Sequence, residues 1–193
     1  MTKWLSHRMV ERGIIKEEEQ ELYQFGIRNG MILLLNVVTA LVIGLLTEQL
    51  AVVAVFTLSF MVLRSYTGGY HSDSRIFCYL GSNLVLLVPV YTQAVFYKTS
   101  LAWLLAVLLV SAGIIFLLSP MHSKNRKLDK EEQKHFGRKA RLIAALELAV
   151  LGILWHAGQI PYAYAVYTCI CITALFMIVG KAQLWIQSHT ENG

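Results

Sequence analysis

Six apolar stretches, at residues 27–46, 50–63, 76–97, 101–119, 142–157 and 162–180, constrain this chain more than any other feature. Of its 193 residues 56% are hydrophobic and 15% charged, an excess that a water-soluble domain of this size has no core to absorb. In hydrocarbon each backbone N–H and C=O must find its partner within the segment, and runs of this length do so as helices. The expected fold is therefore all-α: a polytopic membrane protein of about six transmembrane helices, forming one domain over residues 1–193. The second and fifth stretches hold about 14 and 16 residues, short of the roughly 20 that span a bilayer, so each is tilted, re-entrant or buried among the others. Pro120 closes the fourth stretch and Pro161 opens the sixth, as helix ends require.

Ahead of these stretches, residues 1–28 are amphipathic. Leu5, Met9, Val10, Ile14 and Ile15 gather on one face, and Lys3, Arg8, Arg12 and Lys16 take the rest. The pattern reads as one or two helices lying in the membrane interface, broken at Gly13. Glu17, Glu18, Glu19 and Glu21 precede the first long run, so no cleavable signal peptide is expected and that run stays as a helix.

Charge sets the orientation. Five Lys and Arg lie before or at the start of the first stretch (Lys3, Arg8, Arg12, Lys16, Arg28), two between the second and third (Arg64, Arg75), eight between the fourth and fifth, and one after the sixth (Lys181). These alternate connections carry 16 of the 17 basic residues; Lys98 alone falls on the other side. The positive-inside rule then puts both termini, the 64–78 segment and the basic loop at 121–141 in the cytoplasm of a multi-pass cell-membrane protein. The net charge of +5 reports this topology and not nucleic-acid binding. Three cysteines, Cys78, Cys169 and Cys171, make no disulfide framework, and no pattern of paired Cys and His ligands points to a metal.

The stretch that carries chemistry runs from Arg64 to Cys78. Gly68 and Gly69 permit backbone conformations that other residues resist, so the second helix should end there and the chain turn. Ser72, Asp73 and Ser74 each suit a helix N-cap, so His71 falls in the turn and Cys78 about one turn inside the third helix. An unbroken helix would hold His71 and Cys78 about 10 Å apart, too far for proton transfer; a glycine turn allows them to meet. An imidazole there can take the thiol proton, leaving a nucleophilic thiolate. Spacing alone also fits a packing cysteine and an interfacial histidine.

At these residues the sequence resembles the AgrB family, membrane cysteine peptidases that process precursors of cyclic autoinducing peptides for quorum sensing. The match lies in Arg64, then Gly68-Gly69-Tyr70-His71, then Cys78, in the family's order and spacing. It continues through Tyr23 and Phe25-Gly26-Ile27 ahead of the first span, Ser119-Pro120, and the basic Asn125-Arg126-Lys127-Leu128. The resemblance implies Cys78 as nucleophile and His71 as general base, with Arg64, Gly68 and Gly69 supporting the site. It also implies an AgrD-like precursor peptide as substrate, with an amphipathic leader, an internal Cys or Ser and a charged C-terminal tail. Cleavage would leave an acyl thioester on Cys78 that closes into a thiolactone or lactone. A homodimer is implied as well, and no cofactor.

Other residues have plainer readings. Asp73 orients His71 or simply caps the third span. Ser82 lies one turn after Cys78 and serves packing or the site. Cys169 and Cys171, two apart, point to different sides of a helix. Gly26 and Gly30 have the spacing of a helix-dimer motif that Arg28 spoils, and His156 reads as an interfacial residue. The segment between Pro120 and Leu142 carries eight basic residues against three acidic ones. Either it anchors the chain on anionic lipid, or Lys124, Arg126 and Lys127 bind an acidic precursor tail. The rival functional class is a small transporter or exporter without peptidase activity, for which Glu147 is the one acidic residue well inside a stretch.

Overall fold

A computed structural model describes residues 2–68, 75–121 and 129–190. Among them are eight α-helices: α1 (Thr2–Glu11), α2 (Gln20–Leu46), α3 (Leu50–Thr67), α4 (Arg75–Tyr91), α5 (Gln93–Lys98), α6 (Leu101–Leu118), α7 (Lys130–His156) and α8 (Ile160–Thr190). A single 3-10 turn, Glu17–Glu19, precedes α2. The chain divides into two compact units, Met1–Thr39 and Ala40–Gly193, with the boundary inside α2.

In the first unit α1 ends as expected at Gly13. Its φ of +64° is the left-handed conformation, the Gly13 N–H donates to Val10 C=O at 2.9 Å, and the Ile14 N–H reaches back to Met9 C=O at 2.9 Å. This pair of bonds satisfies carbonyls that a helix end would otherwise leave open. Gly13 reverses the chain before Ile14, so the apolar face expected to include Ile14 and Ile15 ends with the helix. Arg8 covers the Trp4 ring at 4.8 Å, and His7 Nε2 faces Glu11 Oε1 at 3.5 Å one turn on.

The same end motif recurs twice in the second unit. After α2 the Gln49 N–H donates to Gly44 C=O and the Glu48 N–H to Leu45 C=O, with Glu48 at φ +57°. After α7 the Gln159 N–H donates to Leu154 C=O and Gly158 takes φ +72°. Each motif ends its helix and turns the chain, and after α7 the turn lets α8 pack back on α7. Gly44 is needed in the first, because a Cβ there would stand 2.9 Å from Leu50 Cα.

Among the described residues four helical segments are long and apolar enough to cross a membrane: Glu17–Leu46, Leu50–Thr67, Leu101–Leu118 and Ile160–Ile186. The second expected stretch is thus longer than its apolar run, because nothing interrupts the helix until Gly68. The stretch expected over 76–97 is instead two helices. Pro89, inside α4, has no N–H to donate and crowds the preceding turn. The helix ends two residues later at Tyr91. Thr92 then bonds its hydroxyl to Val88 C=O and to the Tyr164 hydroxyl. Phe96 of α5 anchors in a cluster with Tyr164, Tyr167 and Trp155 at centroid distances of 4.5, 5.4 and 6.0 Å. The stretch expected over 142–157 is the second half of α7, whose first half carries the basic residues from Lys130 to Arg141.

α8 is the central post, packed by α3, α6 and α7. Within its apolar window 61% is buried, against at most 28% for the other three. Small buried residues, Ala163, Ala165, Cys169, Thr173 and Ala174, let its neighbours approach closely, the packing that membrane helices depend on. The core around it is built from Phe56, Leu63, Ile115, Val166, Ile170 and Met177.

Candidate functional site

The site is built where α3 ends. Gly68 is its C-cap at φ +70° and ψ −151°, a region essentially closed to residues with a Cβ. The Arg64 side chain turns back along its own helix. Its Nη1 donates to Gly68 C=O at 2.5 Å, and its guanidinium lies 5.2 Å over the Phe176 ring of α8. A charged donor on a carbonyl at a helix C-terminus suits the dipole. Thr67, fully buried, points its hydroxyl towards the same carbonyl at 3.5 Å.

A second chain segment is fastened here. The Met121 N–H donates to Thr67 C=O at 2.9 Å, joining the chain after α6 to the last residue of α3. Contact is closest at Gly68, where a Cβ would stand 2.6 Å from the Met121 carbonyl oxygen. On the other side of this strap lies α7. A Cβ on Gly137 would meet Pro120 Cδ at 3.0 Å and the Ser119 carbonyl oxygen at 3.5 Å. Buried Ser119, joined to Pro120 by a cis peptide bond, directs its hydroxyl to the Met177 sulfur of α8 at 3.9 Å.

The first half of α7 is therefore docked, in contrast to the loop read over 121–141. Gly137, Ala140, Ala144 and Glu147 form its buried stripe. Arg141 Nε donates to Phe116 C=O at 3.2 Å, near the C-terminus of α6. Phe136 packs on Tyr66 at 6.2 Å between centroids, and Lys139 Nζ lies 5.7 Å over the Tyr66 ring. The signal was present in the sequence as small residues at i, i+3 and i+7, masked by the surrounding charges. Gly137 is the site-facing residue that charge counting overlooks.

The other sequence-derived candidates divide by position. Cys78 falls in the first turn of α4, where its backbone is described. His71, Gly69 and Asp73, and the basic Lys124, Arg126 and Lys127, lie outside the described residues. Deeper in the bundle, Cys169 donates its thiol to Glu147 Oε2 at 3.8 Å, both buried, while Cys171 is partly exposed; both thiols are free. At the opposite helix ends a cavity of about 280 Å³ opens between Phe96, Leu105, Trp155, His156 and Tyr167, and its walls are almost wholly apolar. Among the described residues no group of three His, Cys, Asp or Glu is arranged to hold a metal.

The family model described as accessory gene regulator B matches residues 1–180. A protein described as AgrB-like, from Clostridium perfringens (strain SM101 / Type A), is 23% identical over 148 residues, which covers 74% of this chain and 69% of that protein. Another, described as AgrB-like protein 2, from Clostridium perfringens (strain 13 / Type A), is 24% identical over 131 residues, 65% of this chain and 61% of its own length. No solved structure matches.

Proposed function

The chain belongs to the accessory gene regulator B family, and on that premise we propose that it is a membrane-embedded cysteine endopeptidase acting on an AgrD-like precursor peptide. It removes the C-terminal tail of the precursor and helps close the remainder into a cyclic autoinducing peptide for quorum sensing. The observation that carries this reading is the break between α3 and α4. α3 stops at Thr67 on a glycine with positive φ, and Cys78 lies in the first turn of a new helix that starts at Arg75. His71 lies in sequence between Gly68 and Arg75, after the end of α3, and a turn at the glycine pair would let its imidazole approach the Cys78 thiol.

His71 takes the proton of the Cys78 thiol, and the thiolate sulfur attacks the carbonyl carbon where the precursor tail begins. The C–N bond breaks, the tail leaves as an amine with the proton from His71, and an acyl thioester remains on Cys78. His71, now neutral, takes the proton of the precursor's own thiol or hydroxyl, which attacks that carbonyl and expels the Cys78 thiolate, closing a thiolactone or lactone. Excluding bulk water favours this exchange over hydrolysis. Arg64, Gly68 and Gly69 hold the chain on which His71 is carried. No cofactor enters any step.

The chain crosses the cell membrane about six times, with α4 and α5 together as one crossing and the second half of α7 as another. Both termini and the site face the cytoplasm, on the side with 16 of 17 basic residues. Lys124, Arg126 and Lys127 recognise the acidic tail, and two copies form the working unit. The test is co-expression with a precursor peptide and mass spectrometry of the products. Cys78→Ala and His71→Ala each abolish cleavage while the protein still inserts into the membrane. Normal cleavage by either variant would end the assignment and favour the transporter reading.

A further inference from the structure

We propose that Gly137 of α7 is a positioning residue, which seats Pro120 and Met121 against the end of α3 and so sets where the chain enters the segment carrying His71. The proposal rests on the peptidase reading above, and it adds a physical link between the basic half of α7 and the site.

Three consecutive contacts make the link. Gly137 meets Pro120 where a Cβ would be 3.0 Å from Cδ. The next residue, Met121, donates its N–H to Thr67 C=O at 2.9 Å. The Met121 carbonyl oxygen lies where a Gly68 Cβ would be 2.6 Å away. Glycines on both sides let the strap lie close: nearer than a Cβ allows at Gly68, and near enough at Gly137 that a Cβ would make Pro120 give way. The route from Gly137 to Gly68 passes through the packed backbone of Pro120 and Met121. Arg64, bonded to Gly68 C=O, closes the same unit from the α3 side. Spacing at this junction matters because catalysis depends steeply on how a base is placed against its nucleophile.

Gly137→Ala tests this. Alanine favours a helix over glycine, so lost activity in this variant does not come from weakening α7. The added methyl pushes Pro120 outward. Cleavage of the precursor should fall roughly tenfold in kcat, with KM changed less than about twofold, because placement and not binding is altered. The pH midpoint for alkylation of Cys78, followed by peptide mapping, should move towards that of His71→Ala, a readout that needs no substrate. Gly152→Ala, on the same helix with nothing within 4 Å of the added Cβ, should leave rate and midpoint unchanged.

Equal effects of Gly137→Ala and Gly152→Ala, or a loss confined to KM, would overturn the proposal. So would free-amide hydrogen exchange at Met121 in the unaltered protein, whatever the variants do, since its bond to Thr67 is the centre of the link. Cleavage by His71→Ala would instead defeat the peptidase reading, an outcome separable from Met121 protection.

Discussion

The guanidinium of Arg64 donates to the carbonyl of Gly68, four residues on, while lying over the Phe176 ring of α8. One side chain thus ties the last turn of α3 to the central helix and to the first residue of the glycine turn. Lysine has the charge but neither the planar fork nor the stacking face. Arg64→Lys should lower stability by about 1.5–3 kcal/mol, the range for a hydrogen bond involving a charged group. Precursor cleavage should drop by roughly tenfold or more. Thermal unfolding in detergent and a cleavage assay check both; an unchanged melting curve would show that the bond is dispensable.

Gly68→Ala meets two obstacles, the positive φ and the Met121 carbonyl oxygen 2.6 Å from its Cβ. The backbone conformation alone costs about 1–3 kcal/mol in a residue with a side chain. Loss of stability should be accompanied by faster exchange of the Met121 amide, because the strap must retreat. Slow exchange in a folded Gly68→Ala protein would contradict the contact.

The turn between α2 and α3 gives a pair of opposite signs. Gly44→Ala places a Cβ 2.9 Å from Leu50 Cα and should destabilise the unit that begins at Ala40. Glu48→Gly relieves a left-handed residue with a side chain and should stabilise it by up to about 1 kcal/mol. Comparing thermal midpoints of the two variants tests the geometry without any assay of function.

Charge reversal probes recognition. Replacing Lys124, Arg126 and Lys127 with Glu should raise KM for an acidic-tailed precursor and reduce its salt dependence, leaving a neutral-tailed precursor much less affected. Equal loss on both substrates would assign these residues to membrane anchoring.

The proposed topology rests on the distribution of basic residues. Cysteines introduced at 98 and 126 should be labelled from opposite sides of the membrane, with 126 accessible from the cytoplasm. Labelling of both from one side would overturn the proposed six crossings.

Much of this architecture was legible in the chain. Long apolar runs demand helices, since lipid offers backbone groups no partner. Helix ends at Gly13, Gly68 and Pro120 follow from φ preferences and a missing donor, which are properties of single residues. The expectation of one helix over 76–97 does not include the break before Thr92, whose local cause is Pro89. The candidate nucleophile and base were visible as residue types beside a glycine turn, and the family match places the whole segment in a known context.

What the sequence by itself determined was local: which segments are helical, where glycine and proline end them, and the sign of charge on each connection. Tertiary structure decided that α8 is the post around which the others pack, that the basic half of α7 is docked, and that Met121 joins Thr67 across more than fifty residues of chain. Helices in lipid are apolar on every side, so hydrophobic periodicity does not mark the face that meets a neighbour. Close backbone approach at Gly68 and Gly137 depends on a fit between surfaces far apart in sequence, and such a fit exists only once both are folded.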